Sequence, residues 1–283
     1  MRVTGIVLLV AALAAPAQVF AAAAAPEVLW VDKATGDDFY SGDEGTLGDE
    51  DHPFASIQAA VNAAKDGDTI KVLPGDYDNG GYVDGNGHSN RVYIAKKIHL
   101  VSTEGAWQTT IRGKFDSGDT ANDGTNLAGD GVRCVRVYNT SNKKNGYGAV
   151  VEGFTLVDGY AADTHAYGGA ILAESPSGAY FVDCTITNCT GTMKNAGSNG
   201  AIRGGTLVRC EVLNCSAWST LYTANAWNCV FSGNSGIRGV LATSTAVNCS
   251  FYGNDEGMDY FSFQTCQIYN SAIISYPKYK NHY

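Results

Sequence analysis

From about residue 150 the chain alternates apolar and polar positions in short runs, each closed by Asn, Asp or Gly. The stretches "FVDCTITNCTG" (181–191) and "LVRCEVLNCSA" (207–217) share one shape, two cysteines five apart with an asparagine before the second. With the first cysteine as position zero, further copies read "CVFSGN" (229–234), "CSFYGN" (249–254) and "CQIYNS" (266–271), and "FTLVDG" (154–159) carries Phe154 in its place. Position zero is thus Phe154, Cys184, Cys210, Cys229, Cys249 and Cys266. Two residues on stand Leu156, Ile186, Val212, Phe231, Phe251 and Ile268, flanked mostly by polar side chains. Period-two alternation over so few residues marks short strands with one face in and one face out. The strands end on Asp158, Asn188, Asn214, Gly233, Gly253 and Asn270, residues that accept left-handed backbone.

A strand-and-turn unit recurring about every 20 residues cannot bury its apolar side alone and must stack on its neighbours. The pattern therefore predicts an all-β solenoid. Cysteine is small and readily buried, so the position-zero set reads first as a stacked core, in preference to disulfides. Cys189 and Cys215 occupy a turn position on adjacent coils, and they are the best disulfide pair if the compartment is oxidising. The spacing is not that of a zinc knuckle.

The first half repeats less clearly. "SIQAAVNAAK" places Ile57, Ala60, Val61 and Ala64 at helical spacing, with Ser56 as N-cap. This predicts an amphipathic helix that closes the solenoid's open end. "DTIKVLPGDY" is expected to supply the first strand, and "RVYIAKKIHLVST", "TTIRGKF" and "GVRCVRVYN" the next coils. "YGGAIL", "NGAIRG", "STLYTAN", "RGVLATS" and "GMDYFSF" read as strands of a second sheet.

At the N-terminus, Arg2, an apolar run and then small residues read as a signal peptide, residues 1–25, cleaved between Ala21 and Ala25. An uncleaved N-terminal anchor is the alternative. No later stretch approaches the roughly 20 apolar residues of a spanning helix, so the mature chain is expected to be secreted or at the cell surface with no membrane span. The remainder, 26–283, reads as a single domain. Residues 26–80 hold an acidic loop, the helix and the first coil, 81–149 irregular coils, 150–272 the regular repeats, and 273–283 a polar tail without an anchor. A missing C-terminal region would explain the absence of a cap there. The formal charge of −9 argues against nucleic acid, whose phosphates reward clustered Lys and Arg.

"YGGAIL", "NGAIRG", "FSGN" and "FYGN" resemble the GGAI and FxxN repeats of chlamydial polymorphic outer-membrane proteins. "GAVVEGFTLVDGYA", "FVDCTITNCTG" and "WNCVFSGN" are closer to secreted bacterial β-helix proteins. "VDKATGDDFYSGDEG" with "HPFASIQAAVNAAKDGDTIKVLPGDY" resembles the opening of pectin-lyase-like β-helix proteins. These resemblances imply a right-handed parallel β-helix over about residues 30–272. They leave the chemistry open, because the fold hosts lyases, hydrolases, adhesins and structural proteins.

Three sites are candidates. Asp37, Asp38 and Asp43, in the acidic segment 32–51, offer carboxylates to calcium, the only cofactor candidate, although the loop does not match an EF-hand and a solvated acidic loop is the simpler reading. A lyase would need a cation to neutralise a uronate and a base for its C5 proton; Arg133, Arg136 and Asp130 are the catalytic candidates, with ordinary surface charge the simpler reading. Tyr252, Tyr269 and Trp218 could stack on pyranose rings. His52, His88, His99, His165 and His282 are scattered and support no triad. The expected function is non-catalytic presentation of an extended surface to polysaccharides or other cell-surface components. A polysaccharide lyase or glycoside hydrolase, and the passenger part of a surface adhesin, are the alternatives.

Overall fold

The computed structural model describes residues 25–39, 47–118, 129–138, 148–161, 167–173, 178–191, 200–236, 239–254, 263–264 and 266–274. Residues 1–24, nearly all of the expected signal peptide 1–25, lie outside these residues, as do Asp43, His165 and His282. The chain winds into a parallel β-helix. One nine-stranded sheet takes Val28–Val31, Thr69–Val72, His99–Ser102, Val150–Glu152, Tyr180–Val182, Thr206–Val208, Asn225–Trp227, Thr245–Val247 and Gln267–Tyr269 in spatial order. A second, eight-stranded sheet runs from Gly75–Tyr77 to Ala272–Ile274. A third runs from the hairpin strand Tyr82–Val83 and Ser89–Ile94 to Phe263–Gln264, and a short four-stranded sheet bridges the second and third. Among the described strands all pairings are parallel except that of Tyr82–Val83 with Ser89–Ile94, and an isolated antiparallel bridge joins Lys114 to Val132.

Inward positions stack as the alternation requires. Leu156, Ile186, Val212, Phe231 and Phe251 form one row and are buried. Leu100, Val151, Phe181, Leu207, Ala226 and Ala246 form another. The strands expected from "YGGAIL", "NGAIRG", "STLYTAN" and "RGVLATS" are present in the third sheet and stack in that order; of "GMDYFSF" only Phe263 is described, at the start of the strand Phe263–Gln264.

Tight turns between the sheets use left-handed backbone; between the third and first sheets it is found at Gly204, Thr223 and Thr243. Between the first and second sheets it is Gly153, Asp183, Arg209, Asn228, Asn248 and Asn270, with φ from 47° to 76°. After the second sheet it is Asp158, Asn188, Asn214, Gly233 and Gly253, with φ from 51° to 64°. The residue after each turn flanking the second sheet points into the core. One ladder is Phe154, Cys184, Cys210, Cys229 and Cys249. The next is Cys189 and Cys215, continued by Asn234 and Asn254. Gly159 begins this second ladder, and a Cβ there would sit 2.7 Å from Cys134 Sγ, so the Cys134 side chain fills its place.

Thiols of both ladders donate to strand carbonyls of the preceding coil, in the first ladder to those of the first sheet. Cys210 Sγ reaches Phe181 O at 3.2 Å and Cys249 Sγ reaches Ala226 O at 3.4 Å. Asn234 does the same with its amide, donating to Val212 O at 2.8 Å while Oδ1 accepts the Cys215 N–H at 2.9 Å. All eight cysteines are free thiols, Cys189 and Cys215 among them.

The last coil departs from the sequence reading. Cys266 does not continue the ladder of Cys249. Thr245 pairs with Gln267 and Ser250 with Ala272, so Ser271 stands below Cys249 and accepts its N–H at 3.0 Å. Cys266 lies on the preceding turn, one residue before the first sheet. The repeat from Cys249 is therefore 22 residues long, not 17, and the added residues fall in 255–262, outside the described residues.

At the other end, the rungs begin one coil earlier than "DTIKV". Val28–Val31 pairs with Thr69–Val72, and Leu29 and Val31 point inward. The helix Ile57–Ala63 then takes the place a third-sheet strand would have in this coil. Ser56 caps it by accepting the Ala59 N–H at 3.2 Å, and Ile57, Ala60, Val61 and Ala64 are buried as their spacing predicts. Gln58 caps the edge of Ser89–Ile94, accepting Tyr93 N–H at 2.7 Å and donating to Tyr93 O at 3.3 Å. Lys96 Nζ donates to the last helical carbonyls, Val61, Asn62 and Ala64, at 2.6–2.9 Å. A bare strand edge, an aggregation hazard, is thereby covered.

Candidate functional site

The catalytic candidates do not converge. Arg133 is 1% exposed; its Nε donates to the carbonyls of Gly168 at 2.7 Å and Tyr167 at 3.0 Å, and its NH1 donates to Asn90 Oδ1. Arg136 is buried, is ion-paired with Asp84, and has its guanidinium 5.6 Å from the rings of both Tyr93 and Tyr138. Burial acts to raise the Asp84 carboxyl, but the N–H groups of His88 and Asn86 and the Arg136 charge outweigh it and hold Asp84 below the usual range. Asp130 instead pairs with Lys114 at 2.6 Å and accepts the Ser117 N–H at 2.7 Å, and these contacts bring it down to about 2. Arg136 and Arg133 are thus built into the third sheet, and Asp130 is an exposed partner of Lys114.

The acidic segment is likewise committed to local contacts. Asp38 accepts Ser56 N–H at 2.9 Å and Ser56 Oγ–H at 2.6 Å, which fastens the segment to the helix N-cap. Asp37 accepts the Phe39 N–H at 2.8 Å and Asp32 the Thr35 hydroxyl at 2.6 Å. Among the described residues, no three His, Cys, Asp or Glu side chains are grouped to hold a metal ion.

The aromatic candidates fall on three different parts of the surface. Tyr252 is on the outer face of the second sheet, in register with Ser232 and Ile274. Trp218 precedes the third-sheet strand Ser219–Tyr222. Tyr269 belongs to the first sheet, in register with Val247 and, one rung further, Trp227. The shifted register of the last coil separates Tyr269 from Tyr252 and aligns it with Trp227 instead. Trp227 is one of the aromatics of the regular half that the sequence offers for stacking, but its alignment with Tyr269 comes only from this register. The signal for it is legible in retrospect: "WNC", "VNC" and "YNS" are the same apolar–Asn–Cys/Ser step, and aligning on that asparagine gives the true register.

That alignment exposes the best-organised surface of the described residues. One outward row of the first sheet runs Val182, Val208, Trp227, Val247, Tyr269. Trp227 is 42% exposed and Tyr269 54%. The parallel outward row on one side runs Tyr180, Thr206, Asn225, Thr245, Gln267. On the other side, along the turn, lies an exposed asparagine ladder: Asn270 Nδ2 donates to Asn248 Oδ1 at 2.7 Å, and Asn248 Nδ2 to Asn228 Oδ1 at 3.2 Å. Neither outward row carries a charge over these five rungs. The charges nearest the strip are paired: Arg209 binds Asp183 through two bonds of 2.7 and 2.6 Å, and His99 Nε2 lies 2.8 Å from Glu152 Oε2. Rings and methyl groups thus occupy the middle of the face, hydroxyls and amides line one margin, and the other holds the Asp183–Arg209 pair beside the first two rungs and the asparagine ladder beside the last three.

Comparison with known proteins places the chain. Residues 40–250 match the family described as a protein of unknown function, DUF1565. The chain belongs to that family. No curated protein matches it. Solved structures with a similar course include Escherichia coli YbhC (14% identity, 89% of this chain and 73% of that one, TM-score 0.45). Pectin methylesterase PemA from Erwinia chrysanthemi follows (12% identity, 88% and 87%, TM-score 0.42). The lacto-N-biosidase of Eubacterium ramulus is a third (13% identity, 87% and 51%, TM-score 0.33). Among the described residues of this DUF1565 protein, no helix is long and apolar enough to cross a membrane, which says nothing about strands.

Proposed function

We propose that this protein is an exported β-helix that binds a glycan of the cell surface or its surroundings on the outer face of its first sheet, without cleaving it. The observation that carries this reading is the uncharged outward strip from Val182 to Tyr269, with Trp227 and Tyr269 exposed on it, hydroxyl and amide groups along one margin and, beside its last three rungs, the asparagine ladder along the other. Sugars need both kinds of surface at once. The axial hydrogens of a pyranose make an apolar face that stacks on an aromatic ring, and the equatorial hydroxyls seek hydrogen bonds at its rim. A row of scattered surface aromatics would not offer both.

The same chemistry supports the non-catalytic reading. A lyase needs a cation at the uronate and a base near its C5 proton, and a hydrolase needs paired carboxylates flanking the bond. The strip supplies neither, and the guanidiniums of Arg133 and Arg136 are tied to Asn90, backbone carbonyls and Asp84.

The test is retention of the mature protein on immobilised polysaccharides. The same polymers are assayed in solution for new reducing ends and for the ultraviolet absorbance of unsaturated uronide ends. Retention without either product is expected. Product formation, with or without calcium, would replace this reading by an enzymatic one.

A further inference from the structure

We infer that the ligand of this face is an uncharged, ribbon-like glycan with equatorial β-1,4 linkages, lying along the solenoid axis. The inference rests on the binding reading above and adds the class of sugar. Two features of the strip select it.

The first is spacing. Trp227 and Tyr269 are two rungs apart with Val247 between them. Two rungs of a parallel sheet span about 9.6 Å. An equatorial β-1,4 chain flips each sugar over relative to the last, so its repeat is two sugars, of much the same length. Such a chain presents the same face to Trp227 and to Tyr269, and passes its intermediate sugar over Val247. An α-1,4 glucan coils away from a flat face after one contact and cannot meet both rings.

The second is charge. The outward rows hold only Tyr180, Thr206, Asn225, Thr245, Gln267 and the apolar row beside them, on a protein of net charge −9. A polyuronate would bring a carboxylate to every sugar and find no cation among these side chains. Arg209, the cation nearest the strip, already faces Asp183. A neutral chain loses nothing there. Its hydroxyls meet Asn225, Thr245 and Gln267 on one margin and the Asn228–Asn248–Asn270 ladder on the other, whose amides are aligned by their own hydrogen bonds.

The strip's length sets a further expectation. From Val182 to Tyr269 are five rungs, about 19 Å between the outer two, room for four to five sugars.

Calorimetric titration of the mature protein with cellohexaose, mannohexaose, polygalacturonate and soluble amylose tests the inference, together with a series of shorter cello-oligosaccharides. At least one of the two hexaoses should bind, with affinity rising from the disaccharide and levelling off at four to five sugars. Trp227→Ala and Tyr269→Ala should each weaken that binding about tenfold or more, and Tyr252→Ala should leave it unchanged. Both rings are on the outside, so the folded state, read by circular dichroism, should survive each change. Tighter binding of polygalacturonate, or equal binding of amylose, would overturn the inference and leave glycan binding standing. No binding to any of the four would remove both.

Discussion

The phenyl ring of Phe231 lies on that of Phe251, with centroids 4.9 Å apart and planes 11° from parallel. The two rings come from successive coils in direct register, and both are buried. They belong to a core row that also holds Tyr77, Ile111, Leu156, Ile186 and Val212. Replacing Phe231 by Ala removes ring contacts on both sides of its rung, and should cost about 3–5 kcal/mol in chemical denaturation. Phe251→Asp should cost more, because it places an unpaired carboxylate in the core. A soluble Phe251→Asp protein as stable as the parent would contradict the inward assignment of the row.

The thiols give a second check. Seven of the eight cysteines are buried and Cys266 is half-buried, all unbridged. In denaturant without reductant, a thiol reagent should count eight. In the native protein it should react first with Cys266 and hardly at all with Cys184, Cys210, Cys229 and Cys249. A count of six in denaturant would instead support a bridge, with Cys189 and Cys215 the pair to examine.

The ladder also sets the response to alkali. The neighbouring Cys210 sulfur, and then burial, push the Cys229 thiol up to about 12, and Cys210 and Cys249 are raised as well. In the unfolded chain a thiol titrates near 8.5. Between those values the unfolded state has lost the proton and the folded state keeps it, so the folded state is favoured less as pH rises. Stability should therefore be flat below about pH 8 and fall above it, by up to about 1.4 kcal/mol per pH unit for each such thiol. Cys229→Ala should make the fall shallower. Denaturation midpoints measured from pH 7 to 10.5 for both proteins decide it, and parallel curves would rule out this origin.

Asn234 links the two kinds of ladder. It is fully buried, holds the N–H of Cys215 and the carbonyl of Val212, and touches Asn254 Oδ1 at 3.1 Å. Asn234→Ala leaves buried backbone groups unpaired, at about 1–3 kcal/mol each. Asn234→Cys should cost less, since Cys189 and Cys215 occupy the same place in the two preceding coils and donate to the equivalent carbonyls of Leu156 and Ile186. Equal losses for the two variants would deny the ladder that role.

Which parts of this were legible in the sequence depends on how local their cause is. Period-two alternation and a turn residue are local, so Leu156 to Phe251 and Asp158 to Gly253 could be assigned to the core and to left-handed turns without a structure. The helix cap at Ser56 is equally local. Register across a coil is not. Cys266 resembles Cys249 in composition, but the residues preceding it lengthen the coil, and only the pairing of Ser250 with Ala272 shows that Ser271 is its successor. That shift moved Tyr269 from the second sheet to the first and hid its alignment with Trp227. Charges were the least legible. Arg136 meets Asp84 from 52 residues away, and no spacing rule joins them. Asp130 lies close to Arg133 and Arg136 in sequence, yet pairs with Lys114.

The most direct test of the central claim is affinity electrophoresis of the parent, Trp227→Ala, Tyr269→Ala and Tyr252→Ala proteins through gels containing a soluble neutral β-glucan. The parent and the Tyr252 variant should be retarded alike, and the Trp227 and Tyr269 variants should migrate as they do in plain gel. Retardation lost with Tyr252 and kept without Trp227 or Tyr269 would contradict the assignment of the first-sheet strip as the binding face.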